Sequence, residues 1–417
     1  MRKRKRGVLL FSFALLSLQL GRFIVKNEAI PDTSAADTSA AEINADYTTP
    51  KIAFKGIGKL NGEKQVILGS TGPQSGSLYK LGRDFAKSMG IVFNEANRKN
   101  KLSDYFIKLI LKDDEYEKSK ISENIESILD KTSILFGMFS SDSLYAIPEN
   151  RFKDILVLFP DAGVSKFRDP KYDSVFFYRP STKQEIKILV DHVVKKLFKK
   201  KIAIFYEDSF WGSDGADAAK EYLKSFAADR VECVASEPYI RNTVNVNEAV
   251  EKIIKVSPEA VICIAHYRPT YSFIRRMLNR GQQKVDFLGV SETALMWEYL
   301  KKSRGVSLTA TSVVPNPWIS KLDIAKKYRE AMQKYLPNLK FSSISFEGFI
   351  MASLLVKVLE KISPPITKEK IIDSIKSFEN FYFEGLKINF DPKTKALSNS
   401  IWLNTSKYVD WDRYEAK

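Results

Sequence analysis

Side chains that could do chemistry are scarce in this chain, which has two histidines and two cysteines among its 417 residues. His266 is the better placed histidine, because it follows directly on the apolar run 261–265. A buried strand ending there would put the imidazole where open α/β sheets bind ligands, at the carboxyl end of a strand. An enzyme would also need an acid or a nucleophile beside it. Glu292 is the acid available to that hypothesis, and no spacing pattern pairs it with His266.

Two serines offer hydroxyl groups at the end of another predicted strand. Ser140 and Ser141 follow the apolar run 133–137 and lie near the start of a predicted helix. Together with the free amides of a helix N-terminus, such hydroxyls can hold an anionic or carbonyl oxygen of a ligand. The alternative is that Ser140 and Asp142 only cap the helix. Ser140 and Ser141 are therefore candidate ligand contacts.

A turn after the predicted strand at 154–159 offers backbone groups to a ligand. Asp161, Ala162 and Gly163 follow Pro160 there, and a plain turn is the alternative interpretation. Their amides and carbonyls make these three residues candidate contacts as well.

Aromatic and acidic side chains follow three of the predicted strands, at 201–206, 260–265 and 285–289. Trp211 and Tyr267 could close over an apolar or aromatic part of a ligand, although for Tyr267 buried packing is the alternative. Glu292 could pair with a ligand cation, or it could only place an acidic charge at a helix N-terminus.

Short apolar runs alternate with helical patterns twice along the chain. In the first half, strands are predicted at 65–69, 105–111, 133–137 and 154–159, and helices at 81–99 and 119–130. In the second half, strands are predicted at 201–206, 231–236, 260–265 and 285–289, and helices at 187–199, 214–226, 246–256 and 270–279. Such alternation predicts an α/β fold with two doubly wound parallel-sheet lobes. Facing lobes would bring the candidate contacts together at the carboxyl ends of their strands.

Composition and motifs exclude several classes of protein. Hydrophobic residues make up 44% and charged residues 28% of the chain, which is typical of globular proteins. The formal net charge is +16, but the basic residues are spread along the chain, so we expect no nucleic-acid partner. The chain lacks a nucleotide-hydrolase phosphate loop, and Gly69, Gly72 and Gly76 do not have the dinucleotide-binding spacing. We expect no enzyme activity, no cofactor and no metal.

The N-terminus has the pattern of a secretory signal. Five basic residues at 2–6 precede a mostly apolar run at 8–20, which is short for a membrane span of about 20 residues. We predict a signal peptide or membrane anchor at 1–22 and a flexible tether at 23–63. The body would then lie in the periplasm or at the extracytoplasmic face, either free or tethered to the membrane.

Both cysteines are predicted to stay free despite export. Cys233 and Cys263 fall on the second and third predicted strands of the second lobe, and the doubly wound order puts its first strand between them. Two strand spacings amount to about 10 Å, whereas a disulfide needs Cα atoms within about 7 Å.

A series of short motifs runs along the body of the chain. They are an opening strand with a glycine-rich loop at 66–76, an acidic strand end at 112–114, a Gly-x-x-x-Ser loop at 137–141, a Pro-Asp turn at 159–163, a Tyr-Arg-Pro crossing at 177–180, a Trp-Gly turn at 203–212 and a late hairpin at 385–392. In order and spacing they resemble the type I periplasmic binding proteins, in the leucine/isoleucine/valine-binding branch that serves ABC transporters. The resemblance covers about residues 64–405.

This resemblance implies an extracytoplasmic solute-binding protein. Lobe one would contain 64–179 and 311–378, lobe two would contain 180–310 and 379–417, and three connecting segments would form the hinge. A monomer would capture a small polar ligand, such as an amino acid or an amide, in the interlobe cleft and deliver it to an ABC permease. The family's second-lobe acid aligns with Ser291, next to Glu292, which makes Ser291 a further candidate contact.

Two alternative functions stay open on the sequence alone. The first is a membrane-tethered ligand-sensing domain of the same fold, which signals instead of delivering a solute. The second is an enzyme that uses His266 and Glu292. A binding protein leaves its ligand unchanged, so turnover of a ligand separates the enzyme from the other two.

Overall fold

The computed structural model describes residues 64–103, 105–300, 306–404 and 411–415. The predicted leader at 1–22 and the tether at 23–63 lie outside these ranges. Within the described ranges, no helix combines the length and the apolar character needed to cross a membrane.

A five-stranded parallel sheet forms from the first part of the body. Its strands are β1 (Lys64–Gly72), β2 (Tyr105–Asp113), β3 (Ile134–Phe136), β4 (Leu156–Leu158) and β5 (Val175–Phe176), in the order β2-β1-β3-β4-β5. β1 and β2 pair over their whole length, from Lys64 beside Tyr105 to Gly72 beside Asp113. Residues of β4 are fully buried, as continuous apolar strands in a sheet covered on both faces should be.

A seven-stranded sheet forms from the rest of the chain. Its strands are β6 (Lys201–Glu207), β7 (Glu232–Tyr239), β8 (Ala260–Ile264), β9 (Asp286–Gly289), β10 (Thr309–Ser312), β13 (Ser400–Asn404) and β14 (Asp412–Glu415), in the order β14-β13-β10-β9-β8-β6-β7. β6 to β10 are parallel, and the C-terminal β13 and β14 add antiparallel to the edge beside β10. The two parallel sheets confirm the predicted fold class.

Helices follow most strands. They are α1 (Tyr79–Arg98), α2 (Lys118–Leu129), α3 (Asp142–Tyr145), α4 (Thr182–Lys195), α5 (Phe210–Lys224), α6 (Asn247–Lys255), α7 (Tyr267–Asn279), α8 (Ser291–Ala294), α9 (Met296–Tyr299), α10 (Asp323–Tyr335), α11 (Ser343–Glu360) and α12 (Lys368–Lys376).

The predicted bounds of α4, 187–199, were wrong at both ends. The helix begins five residues earlier because Ser181 and Gln184 form a capping box, in which each side chain bonds to the other residue's backbone amide. α5 and α7 also begin before their predicted starts. Periodicity alone detects the amphipathic middle of a helix and misses its polar first turn.

α11 is buried on nearly all sides and packs against α1. The backbones approach so closely that a Cβ at Gly348 would lie 2.7 Å from the carbonyl oxygen of Phe85. Glu347 lies at the start of the second turn of this mostly apolar helix and is 4% exposed.

A short hairpin follows α12. It consists of β11 (Phe381–Phe383) and β12 (Leu386–Ile388). Glu384 and Gly385 form its two-residue turn, and both have positive φ, 51° and 89°, as a type I′ turn requires. The hairpin therefore begins before the segment 385–392 that the resemblance assigned to it.

The strand order confirms the geometric argument about the cysteines. β6 lies between β7, which carries Cys233, and β8, which carries Cys263. Both thiols are free, Cys263 fully buried and Cys233 partly exposed. Burial raises the pKa of both thiols above the ordinary value, which slows their reaction with thiol reagents because the thiolate is the reactive form.

We expect two free thiols per chain when the unreduced protein is denatured and titrated with a chromogenic thiol reagent. In the native protein Cys233 should react first, and Cys263 should react only as β8 unfolds, because no part of it is exposed. A Cys233→Ser variant provides the control, since it should leave one thiol that is silent in the native state. Finding no free thiol in the denatured wild type would contradict the strand-order argument.

Candidate functional site

Residues that follow strands of both sheets line one pocket, which encloses about 460 Å³ including its open mouth. From the first sheet come residues after β2, β3 and β4, and from the second sheet come residues after β6, β8 and β9. α1 and the start of α11 close the remaining sides through Leu81 and Ile344. Carboxyl ends of parallel strands are where open α/β sheets bind ligands.

Seven of the ten sequence-predicted contacts line this pocket. They are Ser140, Ser141, Asp161, Gly163, Trp211, His266 and Glu292. The lining also contains residues that the sequence argument did not select, among them Tyr116, Phe139, Asp142 and Leu295.

The other three predicted contacts lie behind the lining. Ala162 is buried in the hydrophobic core. Tyr267, in the first turn of α7, is 1% exposed and packs against the ring of Tyr299 at 5.7 Å, so the buried-packing alternative describes it. Ser291 is held by the protein's own groups, since its hydroxyl accepts a hydrogen bond from Arg179 at 2.7 Å.

Short backbone links hold the first-sheet loops beside each other. The amide of Phe139 donates to Thr71 at 2.9 Å, and the amide of Asp161 donates to Met138 at 2.9 Å. Phe139 and Asp161 form an isolated parallel bridge. Ser140, between these links, has φ 74°, an uncommon conformation for a residue with a side chain.

Ser140 and Ser141 come directly before α3, as predicted, and their contact with a ligand oxygen stays a prediction. α3 has only four residues and begins with Asp142, whose carboxylate lies in the first turn. The side chain of Ser141 caps no amide of this helix. A negative oxygen of a ligand would therefore meet a carboxylate at this end of the pocket.

Arg179 lies behind the pocket as the centre of a buried ion cluster, 1% exposed. Its guanidinium is 2.6 Å from Asp161 and 3.0 Å from Glu292, both on the lining. On its far side it is 3.2 Å from Glu185 of α4 and 3.7 Å from Glu347 of α11. One positive charge thus holds four carboxyl groups from four different elements.

Burial sets the charge states of these acids. It raises the pKa of Asp161 and Glu185, with Arg179 opposing the shift. Burial and the three neighbouring acids raise the pKa of Glu347 well above its usual range, with Arg179 opposing the shift. Burial also pushes against ionisation of Glu292, but Arg179 and the hydrogen bonds to the carboxylate together outweigh it and lower the pKa of that residue below the ordinary value.

A second buried network orients His266. Glu207, at the end of β6, accepts hydrogen bonds from Tyr116 at 3.0 Å and from Tyr239 at 2.9 Å. The hydroxyl of Tyr116 is also 2.9 Å from Nε2 of His266. Since the single phenolic proton goes to Glu207, the imidazole must donate to Tyr116.

Arg241 joins this network to the first-sheet loops. Its guanidinium is 2.9 Å from Asp142 and stacks over the ring of Tyr116 at 3.8 Å. Burial raises the pKa of Asp142, with Arg241 opposing.

A hydrogen bond at its edge and ring packing on its face fix the side chain of Trp211. Its indole N–H donates to the hydroxyl of Thr182 at 3.0 Å, and its ring lies against His266 at 5.2 Å. A Cβ at Gly163 would come within 2.0 Å of the same hydroxyl, so any side chain at Gly163 would displace Thr182 and with it Trp211.

Four residues of these two networks were not predicted from the sequence, namely Arg179, Glu185, Glu347 and Tyr116. Two signals were readable. Glu347 is an acid in a mostly apolar helix, which implies a buried cation partner, and Arg179 lies in the Tyr-Arg-Pro motif, which was assigned to a crossing and given no role in the site. Their pairing spans 168 residues of sequence separation, 347 − 179, and no local pattern encodes it.

Comparison with known proteins decides the family. A family profile described as periplasmic binding protein matches residues 65–407. The chain belongs to the periplasmic binding protein family. A curated relative, Leu/Ile/Val-binding protein homolog 7 of Brucella abortus (strain 2308), is 22% identical over 319 residues, which cover 71% of this chain and 77% of the relative.

Solved structures of periplasmic binding proteins match the fold. A possible leucine/isoleucine/valine-binding protein from Rhodopirellula baltica SH 1 is 25% identical, with a TM-score of 0.75 over 86% of this chain and 98% of that one. An ABC transporter solute-binding protein from R. palustris, in complex with 4-hydroxybenzoate, is 16% identical, with a TM-score of 0.71 over 85% of this chain and 98% of that one. These likenesses confirm the predicted resemblance, and membership of the family implies an extracytoplasmic location.

Replacing Arg179 by Met should destabilise the protein by about 3–5 kcal/mol, because removal of one partner leaves buried charge without compensation. Glu347→Gln is the matched control. Its Oε1 lies 3.7 Å from Arg179 and has no hydrogen-bond partner among the described residues, so the amide should change the free energy of unfolding by no more than about 1 kcal/mol. Urea denaturation at pH 7 measures both values. Equal stability of Arg179→Met and the wild type would contradict the account of the cluster.

Two further buried acids make stability depend on pH. Tyr299 donates to Asp84 of α1 at 2.6 Å, and Thr71 donates to Asp114 at 2.9 Å. Burial raises the pKa of Asp84 and of Asp114 to about 6, although these hydrogen bonds oppose the shift. In the unfolded chain both should titrate near the ordinary value of about 4.

Between these two values the folded protein binds more protons than the unfolded chain, so the free energy of unfolding should fall as the pH rises from 4 to 7. The double variant Asp84→Asn/Asp114→Asn should show a shallower fall, and the exposed Asp217→Asn should keep the wild-type slope. Urea titrations across this range measure the slopes. An unchanged slope in the double variant would show that neither acid takes up a proton.

Proposed function

We propose that this periplasmic binding protein captures a small polar ligand in a cleft between two lobes and delivers it to an ABC permease. The observation that supports this most directly is the composition of the pocket wall. Ser141 and Asp161 follow strands of the first sheet, whereas Trp211, His266 and Glu292 follow strands of the second. A site divided in this way forms when the two halves close and releases its ligand when they part.

The proposed lobes comprise residues 64–179 with 311–378 and residues 180–310 with 379–417. Several contacts between the first-sheet and second-sheet loops support a closed arrangement. Tyr145 stacks on Phe210 at 4.0 Å, and the amide of Ser165 donates to Asp214 at 3.0 Å. Ligand binding would favour this closed state over an open one.

Transport is favoured over the two alternatives. The Brucella relative is called a Leu/Ile/Val-binding protein homolog and the R. palustris structure a solute-binding protein of an ABC transporter. An enzyme is disfavoured because Glu292, the acid that it would use beside His266, already pairs with Arg179 and is not poised as a general acid or base. A tethered sensor would differ in its partner and not in its pocket.

Ser141→Ala should weaken ligand binding by roughly 5- to 150-fold, the effect of losing one buried hydrogen bond of about 1–3 kcal/mol. Its hydroxyl lines the pocket and caps no amide of α3, so the stability of the ligand-free protein should hardly change. Isothermal titration calorimetry with the ligand that co-purifies, identified by mass spectrometry, measures the affinity.

The neighbouring Ser143 provides the matched control. It is fully buried, and its hydroxyl donates to the carbonyl of Phe139 at 2.7 Å, off the pocket lining. Ser143→Ala should therefore lower the melting temperature and preserve affinity, the reverse of Ser141→Ala. If Ser141→Ala left affinity intact, the assignment of the site would fall.

A further inference from the structure

We infer that the pocket selects an organic cation that carries an amine, amidine or guanidine group and no carboxylate. The inference rests on the proposed function, since it specifies the ligand of that same pocket. It follows from the balance of charges, donors and acceptors on the pocket wall.

The charged groups that face the pocket are predominantly acidic. Asp142, Asp161 and Glu292 line it, and none of the described lining residues is a lysine or an arginine. The cations that pair with them lie behind the wall and are already shared. Arg179 serves four carboxyl groups, and Arg241 lies between Asp142 at 2.9 Å and Glu207 at 3.9 Å. Even with Glu347 neutral, acids outnumber bases around the pocket.

Three buried polar atoms on the wall have no partner among the described residues. They are Oγ of Ser140, Oδ1 of Asp142 and Nδ1 of His266, and the last two belong to side chains that are 6% and 7% exposed. Nε2 of His266 donates its hydrogen to Tyr116, so Nδ1 is the ring nitrogen left for a ligand, and it accepts a hydrogen bond in the neutral form of the ring. A buried acceptor without a donor is costly, and a ligand with several N–H groups would satisfy both Oδ1 of Asp142 and Nδ1 of His266.

Side-chain donors on the wall are few, because its other side-chain polar hydrogens are used inside the protein. The indole N–H of Trp211 goes to Thr182, and the hydroxyl of Tyr116 goes to Glu207. Among the described lining side chains, this leaves the hydroxyls of Ser140 and Ser141 as donors. A ligand carboxylate would have to bind there beside Asp142, against its charge.

The rest of the wall suits the hydrocarbon part of such a ligand. Trp211, Tyr116 and Phe139 are aromatic, and aromatic faces attract cations that have left water. Leu81, Leu295 and Ile344 are aliphatic. The pocket thus combines an acidic region with an apolar one, which fits an alkyl or aryl amine.

Compounds that share a hydrocarbon skeleton and differ in charge test the inference. The sets are isoamylamine, leucine and isocaproate; tyramine, tyrosine and desaminotyrosine; and agmatine with arginine. Calorimetry on the full chain should show at least one amine or guanidine that binds about ten-fold or more tightly than its amino-acid counterpart, as one charge-assisted hydrogen bond would give. The carboxylic acids should not compete.

The outcomes separate this inference from the proposed function. An amino acid or a carboxylic acid that binds as tightly as its matched amine, or a co-purifying ligand with a carboxylate, would overturn the inference and support solute capture. If no compound bound and no ligand were released from the purified protein, solute capture itself would be contradicted.

Asp142→Asn tests the acidic wall directly. The amide keeps the shape and removes the charge, so affinity for the tightest amine should fall by about ten-fold or more. Asp217→Asn, an exposed acid on α5 whose side chain is 73% exposed, should leave that affinity unchanged. If amine affinity survived Asp142→Asn, the proposed selection by charge would be wrong.

Discussion

A single buried guanidinium holds together the parts of this protein that shape its pocket. Arg179 lies between β5 and α4 and contacts acids after β4, in α4, in α8 and in α11. Taking a cation out of water is expensive unless several partners compensate it. The four carboxyl groups supply that compensation, and in turn the positions of Asp161 and Glu292 on the pocket wall depend on Arg179. Buried residues behind the lining thus fix the geometry of the pocket wall.

The same constraint determines the chemistry of the pocket. Because Arg179 is enclosed, its charge does not reach a ligand as a free partner, while Asp161 and Glu292 remain on the wall. The second network acts in a similar way, since Glu207 and Tyr116 accept hydrogens that could otherwise serve a ligand and leave Nδ1 of His266 without a partner among the described residues. The same buried contacts therefore hold the pocket wall in place and determine which charges and hydrogen-bonding groups a ligand meets.

Much of the fold and part of the pocket could be predicted from the sequence. The apolar run that became β8 and the alternating helices were readable because buried strands and amphipathic helices have local periods. Ser141, Trp211 and His266 were found because parallel strands end at a common edge, and all three line the pocket. Tyr267 was also a candidate contact, but it does not line the pocket. A residue in the first turn of α7 can point to the core as easily as to the pocket.

What the sequence could not reveal are partnerships between distant residues. Arg179 and Glu347 meet across the fold, and Tyr116 reaches Glu207 from the opposite sheet. Such pairs depend on how the lobes pack and not on any local spacing. The start of α4, in contrast, could have been predicted, because Ser181 and Gln184 have the spacing of a capping box, which is a local sequence pattern.

The central claim is that both sheets contribute to one ligand site. A crystal structure of the purified protein with its own ligand bound tests this most directly. The account predicts that the ligand lies in contact with Ser141 from the first sheet and with Trp211 or Glu292 from the second. A ligand bound elsewhere, or held by residues of one sheet alone, would contradict it.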